Sequence, residues 1–454
     1  MKKKLSVILC IVMAMSMMTG CTTFNNFRNA FFSDGASNNG QNGVSKTIKI
    51  GIYEPLTGEY KSFAEEEKVG IELAKEMYPQ VLGKDVELIY ADNQADMHVA
   101  ETVINELVSQ NPAVILGSYG ETVTLVAGDA VKEAQIPAIS ITSTNPLITV
   151  NNPFYFRATI METSQGEVLA AFAYEAQGKR KIATVRTEDD DIATTTVNRF
   201  NKKFRSLATE EGTCIVGNYQ VKSDTTDYSE TLKNIKDSGA DAVYLYLSAA
   251  KADEFLKQAK EAKLDNILYI GTKDWVDADF QKNVAERKLS IAYASDFSVA
   301  AHQTATSEKF VKAYKDKYGE DAEPTEAMAL AFDSYVMALK AIENAYSNIM
   351  SYDFDKMAED GASEDDIKAA KAEWIKALEL GAPNGDAIRH ALTQLDGFEG
   401  ASGLISFNGT NEAKKSIVVN YFIAGEGKEP YTGEVVENSS ASVVDSSAES
   451  DENE

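Results

Sequence analysis

Ala113-Val114-Ile115-Leu116-Gly117-Ser118-Tyr119-Gly120-Glu121-Thr122 runs from a short apolar strand, through a polar turn between two glycines, into the start of a helix that continues to Ala134. Beyond that helix Ala138 to Ile141 is apolar again, and Thr142-Ser143-Thr144-Asn145-Pro146 forms a second polar turn. A strand, a helix and a strand joined by turns this short make a right-handed crossover between parallel strands. The same unit repeats upstream. Thr47 to Ile52 alternates as a strand does, Phe63 to Met77 reads as a helix, Val86 to Tyr90 as a strand and His98 to Gln110 as a helix. A second series follows. It takes Ile182–Val185, Cys214–Tyr219, Ala242–Leu247 and Ile267–Ile270 as strands, with helices over Thr195–Glu211, Tyr228–Asp237 and Ala250–Ala262. Two such series predict an α/β protein of two lobes, each a parallel sheet covered by helices on both faces. Ser307–Tyr318 and Thr325–Ala345 are later amphipathic helices, and Gly403–Phe407 and Ser416–Phe422 later strands.

The two ends have other compositions. Lys2, Lys3 and Lys4 precede an apolar run from Leu5 to Met18, which is too short to cross a bilayer core of about 30 Å and reads as a secretion signal over residues 1–20. Thr19-Gly20-Cys21 resembles the bacterial lipobox, which implies cleavage after Gly20 and lipid on Cys21. Residues 21–46 are rich in Asn, Gly and Ser and read as a tether; its Phe24, Phe27, Phe31 and Phe32 are placed to lie against a membrane. Residues 351–385 form an acidic, alanine-rich insertion with a helix over Ala370–Leu380. Residues 426–454 read as a disordered acidic tail.

The 454 residues carry a formal charge of −26, which repels phosphates and argues against nucleic acid as a partner. Part of that charge is local, since Glu429 to Glu454 holds no lysine or arginine. Of three cysteines, Cys10 leaves with the signal and Cys21 is the lipid site, so no disulfide is expected in the mature chain. Cys214, in Thr213-Cys214-Ile215-Val216, reads as a buried, inert thiol on a strand.

Enzyme signatures are absent. His98, His302 and His390 are scattered without metal-ligand spacing, and neither a phosphate loop nor a Gly-x-Ser-x-Gly elbow occurs. Glu188-Asp189-Asp190-Asp191 lacks the alternating oxygen ligands and glycine of a calcium loop and reads as a loop at a lobe edge. No metal or cofactor is expected. The two polar turns of the opening unit are different. In an open α/β sheet, ligands bind beyond the carboxyl ends of the strands. There Ser118, Tyr119, Gly120, Glu121 and Thr122 meet Thr142, Ser143 and Thr144, offering hydroxyls and free backbone N–H groups.

At this point a resemblance covers nearly all of residues 48–425. Ile48-Lys49-Ile50-Gly51, Pro55-Leu56-Thr57-Gly58, Ala91-Asp92-Asn93-Gln94-Ala95-Asp96, Ile136-Pro137-Ala138-Ile139-Ser140 and Ser143-Thr144-Asn145-Pro146 occur in order. So do Tyr155-Phe156-Arg157, Ser164-Gln165-Gly166 and Gly400-Ala401-Ser402-Gly403. The set resembles the branched-chain amino-acid-binding family of ABC-importer solute receptors. The resemblance implies the type I periplasmic-binding-protein fold, with two Rossmann-like lobes joined by three crossing segments and ligand in the cleft. It implies lobe one over 48–162 plus 296–395 and lobe two over 163–295 plus 396–425.

The family holds an amino acid's carboxylate on the first lobe's polar loops, and Thr142 and Thr144 keep that character. Glu121, however, stands where a small hydroxyl residue is usual, and an ionised glutamate there would repel a carboxylate; either Glu121 points away and backbone groups serve, or the ligand presents something cationic or neutral instead. Phe63 falls where an aromatic often lines the cleft. In the second lobe Asp274, in Gly271-Thr272-Lys273-Asp274-Trp275, is the candidate for an ammonium group, with Lys273 as a competing charge. The family's tyrosine-glycine after the first strand of lobe two is replaced by Asp191-Ile192, and its later aromatic pair by Ser248-Ala249.

The expected protein is therefore a monomeric solute receptor, tethered to the outer face of the cell membrane by lipid on Cys21. It would capture an amino-acid-like or cationic solute by hinge closure and hand it to ABC permease subunits. Glu121, Asp274 and Asp189 are candidates to bind a cationic group; Tyr119, Phe63 and Trp275 are candidates to pack against it. A sensor of the same fold acting through a signalling partner is the alternative, and a lipid-anchored hydrolase is an alternative of another class.

Overall fold

The computed structural model describes residues 47–301, 304–349, 361, 363–368, 383–422 and 436–437. The signal, Cys21 and its tether, His302, the helix expected over Ala370–Leu380 and nearly all of the tail lie outside them. Among the described residues two compact units emerge: residues 47–159 with 304–413, and 160–301 with those from 414 onwards.

The first unit opens with β1 (Thr47–Glu54), α1 (Lys61–Met77), the short β2 (Gln80–Val81), β3 (Lys84–Asp92), α2 (Met97–Ser109), β4 (Val114–Leu116), α3 (Glu121–Ala134), β5 (Ala138–Ser140) and β6 (Tyr155–Arg157). The sheet runs β2-β3-β1-β4-β5-β6, parallel throughout except for the β2–β3 hairpin. Ile50 to Glu54 of β1 are all buried, as a central strand covered on both faces requires. Because β3 lies on one side of β1 and β4 on the other, the order in which strands are added reverses there, and a crevice opens at the carboxyl ends of β1 and β4. Asp96 caps α2 by accepting from the N–H groups of His98 and Val99.

The second unit holds α4 (Glu162–Ala171), β7 (Lys181–Thr187), α5 (Asp191–Leu207), β8 (Cys214–Val221), α6 (Ser229–Ser238), β9 (Ala242–Tyr246), α7 (Ala249–Glu261), β10 (Leu268–Gly271), α8 (Ala278–Arg287) and β11 (Ser290–Ser295). The chain then returns to the first unit for α9 (Ala305–Tyr318), α10 (Glu326–Ile349), α11 (Gly385–Thr393) and the hairpin β12 (Phe398–Gly400) and β13 (Gly403–Ser406). It re-enters the second unit for β14 (Lys414–Phe422), with which the two-residue β15 (Val436–Glu437) pairs antiparallel. The second unit's strands lie in the order β8-β7-β9-β10-β11-β14, all parallel except β14, which pairs antiparallel with β11. Its sheet carries a core on each face. One is built around Phe255, Tyr269 and Trp275, the other around Phe200, Phe204 and Tyr244.

Three differences from the sequence expectation have clear causes. The chain crosses between units after Thr159, Gln303 and Ala413, whereas the sequence reading places the crossings after 162, 295 and 395. The last difference is the largest, because the β12–β13 hairpin is bound to the first unit. The buried Asp333 carboxylate on α10 accepts from the Ala401 N–H and from the Ser402 N–H and hydroxyl at 2.8 and 2.6 Å. Ser307 donates to the Ala401 carbonyl at 2.6 Å. Secondly, Cys214 is exposed, not buried, since it begins the edge strand β8. Thirdly, α4 was not expected as a helix. Eight of its ten residues are buried, so it lacks the one-sided apolar stripe that marks a surface helix.

Helices α1 and α10 approach closely at Gly70, where an added Cβ would sit 2.2 Å from the Met328 carbonyl oxygen. Alanine favours an isolated helix over glycine by about 1 kcal/mol. Gly70→Ala should nevertheless lower stability by about 1–3 kcal/mol in urea unfolding, the usual cost of overpacking; a stabilised variant would disprove the close contact.

Candidate functional site

The crevice of the first unit is built on a buried acid. Glu54 ends β1 and has no solvent exposure. Its Oε2 accepts the backbone N–H of Tyr119 at 2.8 Å. Gly117 lets the loop pass that close: its φ is +115°, and a Cβ there would lie 2.1 Å from the Tyr53 carbonyl oxygen and 2.4 Å from Glu54 Oε1. A second buried acid, Glu67 of α1, accepts the Thr142 hydroxyl at 2.5 Å. Burial first, then the neighbouring charge of Glu67 and a hydrogen bond to it, holds the Glu54 carboxyl well above the usual carboxylate range, against the opposing pull of the Tyr119 N–H. Glu54 is therefore shifted towards its neutral form relative to an exposed carboxyl.

Around this base the two polar loops lock together. Ser118 accepts from Asn93 Nδ2 and donates to the Tyr119 carbonyl, at 2.8 and 2.9 Å. Ser143 donates to the Ser118 carbonyl at 3.2 Å, and the Thr124 hydroxyl faces the same carbonyl at 2.9 Å. Ser118 and Ser143 are buried and belong to this frame. Glu121 opens α3, where a negative charge meets the positive end of the helix. Its carboxylate is held from the neighbouring loop by the Thr144 hydroxyl at 3.3 Å and by Asn145 Nδ2 at 3.2 Å. Thr122, one residue on, is exposed.

The rim is aromatic. Tyr119 stacks on Phe63 with ring centroids 4.8 Å apart and planes 3° from parallel. Tyr60 meets the edge of Tyr119 at 5.6 Å. Phe63 is 47% exposed and Tyr60 37%. An aromatic pair gains little from staying wet, so this face is suited to covering a ligand. The first unit thus brings together Phe63, Ser118, Tyr119, Gly120, Glu121, Thr142, Ser143 and Thr144. Sequence reading missed Glu54, Glu67 and Tyr60. Tyr60 lies one helical turn before Phe63, a spacing that was legible; the two glutamates meet only in the fold.

In the second unit β7 and β9 flank the corresponding reversal of strand order. Asp189, in the loop after β7, has a left-handed backbone with φ of 56°. With Glu188, Asp190, Asp191, Lys222 and Asp224 it lines an open groove of about 760 Å³ beyond β7 and β8. Asp190 has a local task, capping α5 by accepting the Ala193 N–H at 2.8 Å. At the end of β9 the Tyr246 hydroxyl donates to Glu162, and burial followed by that charge pushes the phenol upward. Asp274, in the loop after β10, is exposed. Trp275 departs from expectation: it is wholly buried, packs on Phe280 at 4.9 Å and donates its indole N–H to the Leu247 carbonyl at 3.3 Å. It supports the loop from the core and presents no face to a ligand.

No group of three or more His, Cys, Asp or Glu side chains arranged to hold a metal occurs among the described residues. Among them, too, no helix is long and apolar enough to cross a membrane.

A family model described as periplasmic binding protein matches residues 47–424. The Leu/Ile/Val-binding protein homolog 6 of Brucella abortus is 23% identical over 344 residues, which cover 74% of this chain and 82% of that protein. Two solved structures share the fold. One is the branched-chain amino acid transporter substrate-binding protein LivJ of Streptococcus pneumoniae in complex with isoleucine, at TM-score 0.64 and 22% identity, covering 86% of this chain and 99% of that one. The other is an ABC-transporter solute-binding protein of Rhodopseudomonas palustris in complex with 3,4-dihydroxybenzoic acid, at TM-score 0.62 and 22% identity, covering 87% and 99%.

Because its folded-state pKa is raised, Glu54 makes the folded state bind more protons than the unfolded chain, so its contribution falls as pH rises above the ordinary carboxyl value of about 4.3. Glu54→Gln should therefore melt higher than the wild type at pH 7–8, with the gap closing towards about pH 4. A gap that did not change with pH would mean that the pair holds no extra proton.

Proposed function

This chain belongs to the periplasmic binding protein family, and on that footing we propose that it is an extracytoplasmic solute receptor, lipid-anchored through Cys21, that captures a small solute by hinge closure and delivers it to an ABC permease. We further propose that the group the first unit receives is cationic, or a neutral hydrogen-bond donor, rather than a carboxylate. The observation that carries this reading is the placement of Glu121. Its carboxylate already occupies the Thr144 hydroxyl and the Asn145 amide. Thr142 is turned to Glu67 and the Tyr119 N–H to Glu54. Four donors of these loops, the Thr142 and Thr144 hydroxyls, the Asn145 amide and the Tyr119 N–H, thus answer acids of the protein itself.

What remains for a ligand is negative charge beside exposed aromatic faces. A cation over such a ring gains about 0.5–2 kcal/mol beyond its charge pairing. Isoleucine and 3,4-dihydroxybenzoic acid, the ligands of two proteins of this fold, both carry a carboxylate, and the same fold serves both. Ligand chemistry is set by the loops, not by the fold.

A thermal-shift screen tests this with two opposed sets of probes. Agmatine, putrescine and choline carry cations without a carboxylate; benzoate and isovalerate carry a carboxylate without a cation. A ligand at 100 times its dissociation constant stabilises by about 2.7 kcal/mol. Hits should fall in the cationic set and among basic amino acids, and Glu121→Gln should weaken the best hit by about tenfold or more. Hits confined to the carboxylates, strengthened by Glu121→Gln, would overturn the cationic reading. For the anchor, Cys21→Ala should shift the protein from the membrane pellet to the soluble fraction; a variant that still sedimented with membranes would refute lipidation at Cys21.

A further inference from the structure

In each unit, a charged group tied to the crossing segments also reaches that unit's candidate ligand loop. In the first unit Arg157 ends β6, two residues before the first crossing, and has no solvent exposure. Its Nε donates to Glu412 Oε2 at 2.8 Å, and Glu412 stands just before the third crossing. The two backbones are joined as well. The Arg157 N–H donates to the Asn411 carbonyl at 3.0 Å, and Asn411 Nδ2 donates to the carbonyls of Asn152 and Tyr155 at 2.7 and 3.2 Å. The rest of the guanidinium fork goes to the ligand loop: Nη1 donates to the Ser143 carbonyl, and Nη2 to the Asn145 carbonyl at 2.6 Å. One planar group thus ties the first crossing, the third crossing and the loop that carries Thr144.

The second unit repeats the arrangement with other residues. Asp296 directly follows β11, on the way to the second crossing, and Lys415 is the second residue after the third crossing. Both side chains are buried, and they pair at 3.0 Å. The other Asp296 oxygen lies 3.9 Å from Lys273 Nζ, in the loop that carries Asp274. Buried charges of this kind hold geometry firmly, because breaking one partner leaves the other without compensation.

We infer that Arg157 and Asp296 are positioning residues that couple each unit's ligand loop to two of its crossing segments, so that loop and hinge move together. The use of this coupling in solute capture rests on the functional reading above. The coupling itself does not, and ligand-free protein tests it. Amide hydrogen exchange should be followed in the wild type, Arg157→Lys, Glu412→Gln and Asp296→Asn. Lysine keeps the charge of Arg157 but not its planar fork. Arg157→Lys and Glu412→Gln should each speed exchange about tenfold, in residues 143–145 and 411–413 together, while Ile50 and Ile115 of the sheet keep their protection. Asp296→Asn should do the same in 272–275 and 414–415 only. Two results would refute the proposal: crossing segments that loosen while the loops do not, or an even rise across a whole unit, the mark of plain destabilisation. If Arg157→Lys fails to fold, Glu412→Gln still decides the first unit's case.

Discussion

Backbone groups at the carboxyl ends of parallel strands have no ladder partner once the strand stops, and burying them unpaired is costly. Here charged side chains drawn into the interior supply many of the missing partners. Glu54 takes the Tyr119 N–H, Arg157 serves the carbonyls of Ser143 and Asn145, and Asp333 takes the N–H groups of Ala401 and Ser402. Each acts on a loop or hairpin rather than on regular structure. The loops at the first unit's crevice are therefore held from beneath by hydrogen bonds to buried charged groups.

That support has a chemical consequence. The Tyr119 N–H, the Thr142 and Thr144 hydroxyls and the Asn145 amide are turned to Glu54, Glu67 and Glu121. The two acids beneath are buried side by side, so Glu54 is shifted towards its neutral form and the pair avoids a double charge. Glu121 sits higher, at the start of a helix, where its charge is favoured. A negative, aromatic-rimmed surface results on a fold whose solved examples include proteins bound to isoleucine and to an aromatic acid.

Much of the architecture was legible along the chain. Alternating strands and amphipathic helices announced two α/β series, and the ordered motifs from Ile48 to Phe407 pointed to the family that the family model then matched. Helix α4 was missed because eight of its ten residues, polar ones among them, are buried, so its sequence carries no one-sided apolar stripe. Trp275 and Cys214 were each assigned the wrong surroundings: the indole fills the core behind the loop, and the thiol opens an edge strand. Burial of a single residue depends on which strand ends at the sheet's margin, and local pattern does not record that.

The chain alone determined the class of fold and the place of the polar loops, Glu121 among them, at strand ends, because hydrophobic period and turn chemistry act over a few neighbouring residues. Tertiary structure decided what those residues do. Glu54 is shifted towards its neutral form by burial and by Glu67, Glu121 takes the donors of Thr144 and Asn145, and Arg157 reaches Glu412 across 255 positions of sequence. Charge effects depend on distance and burial in space, and neither exists until the chain has folded.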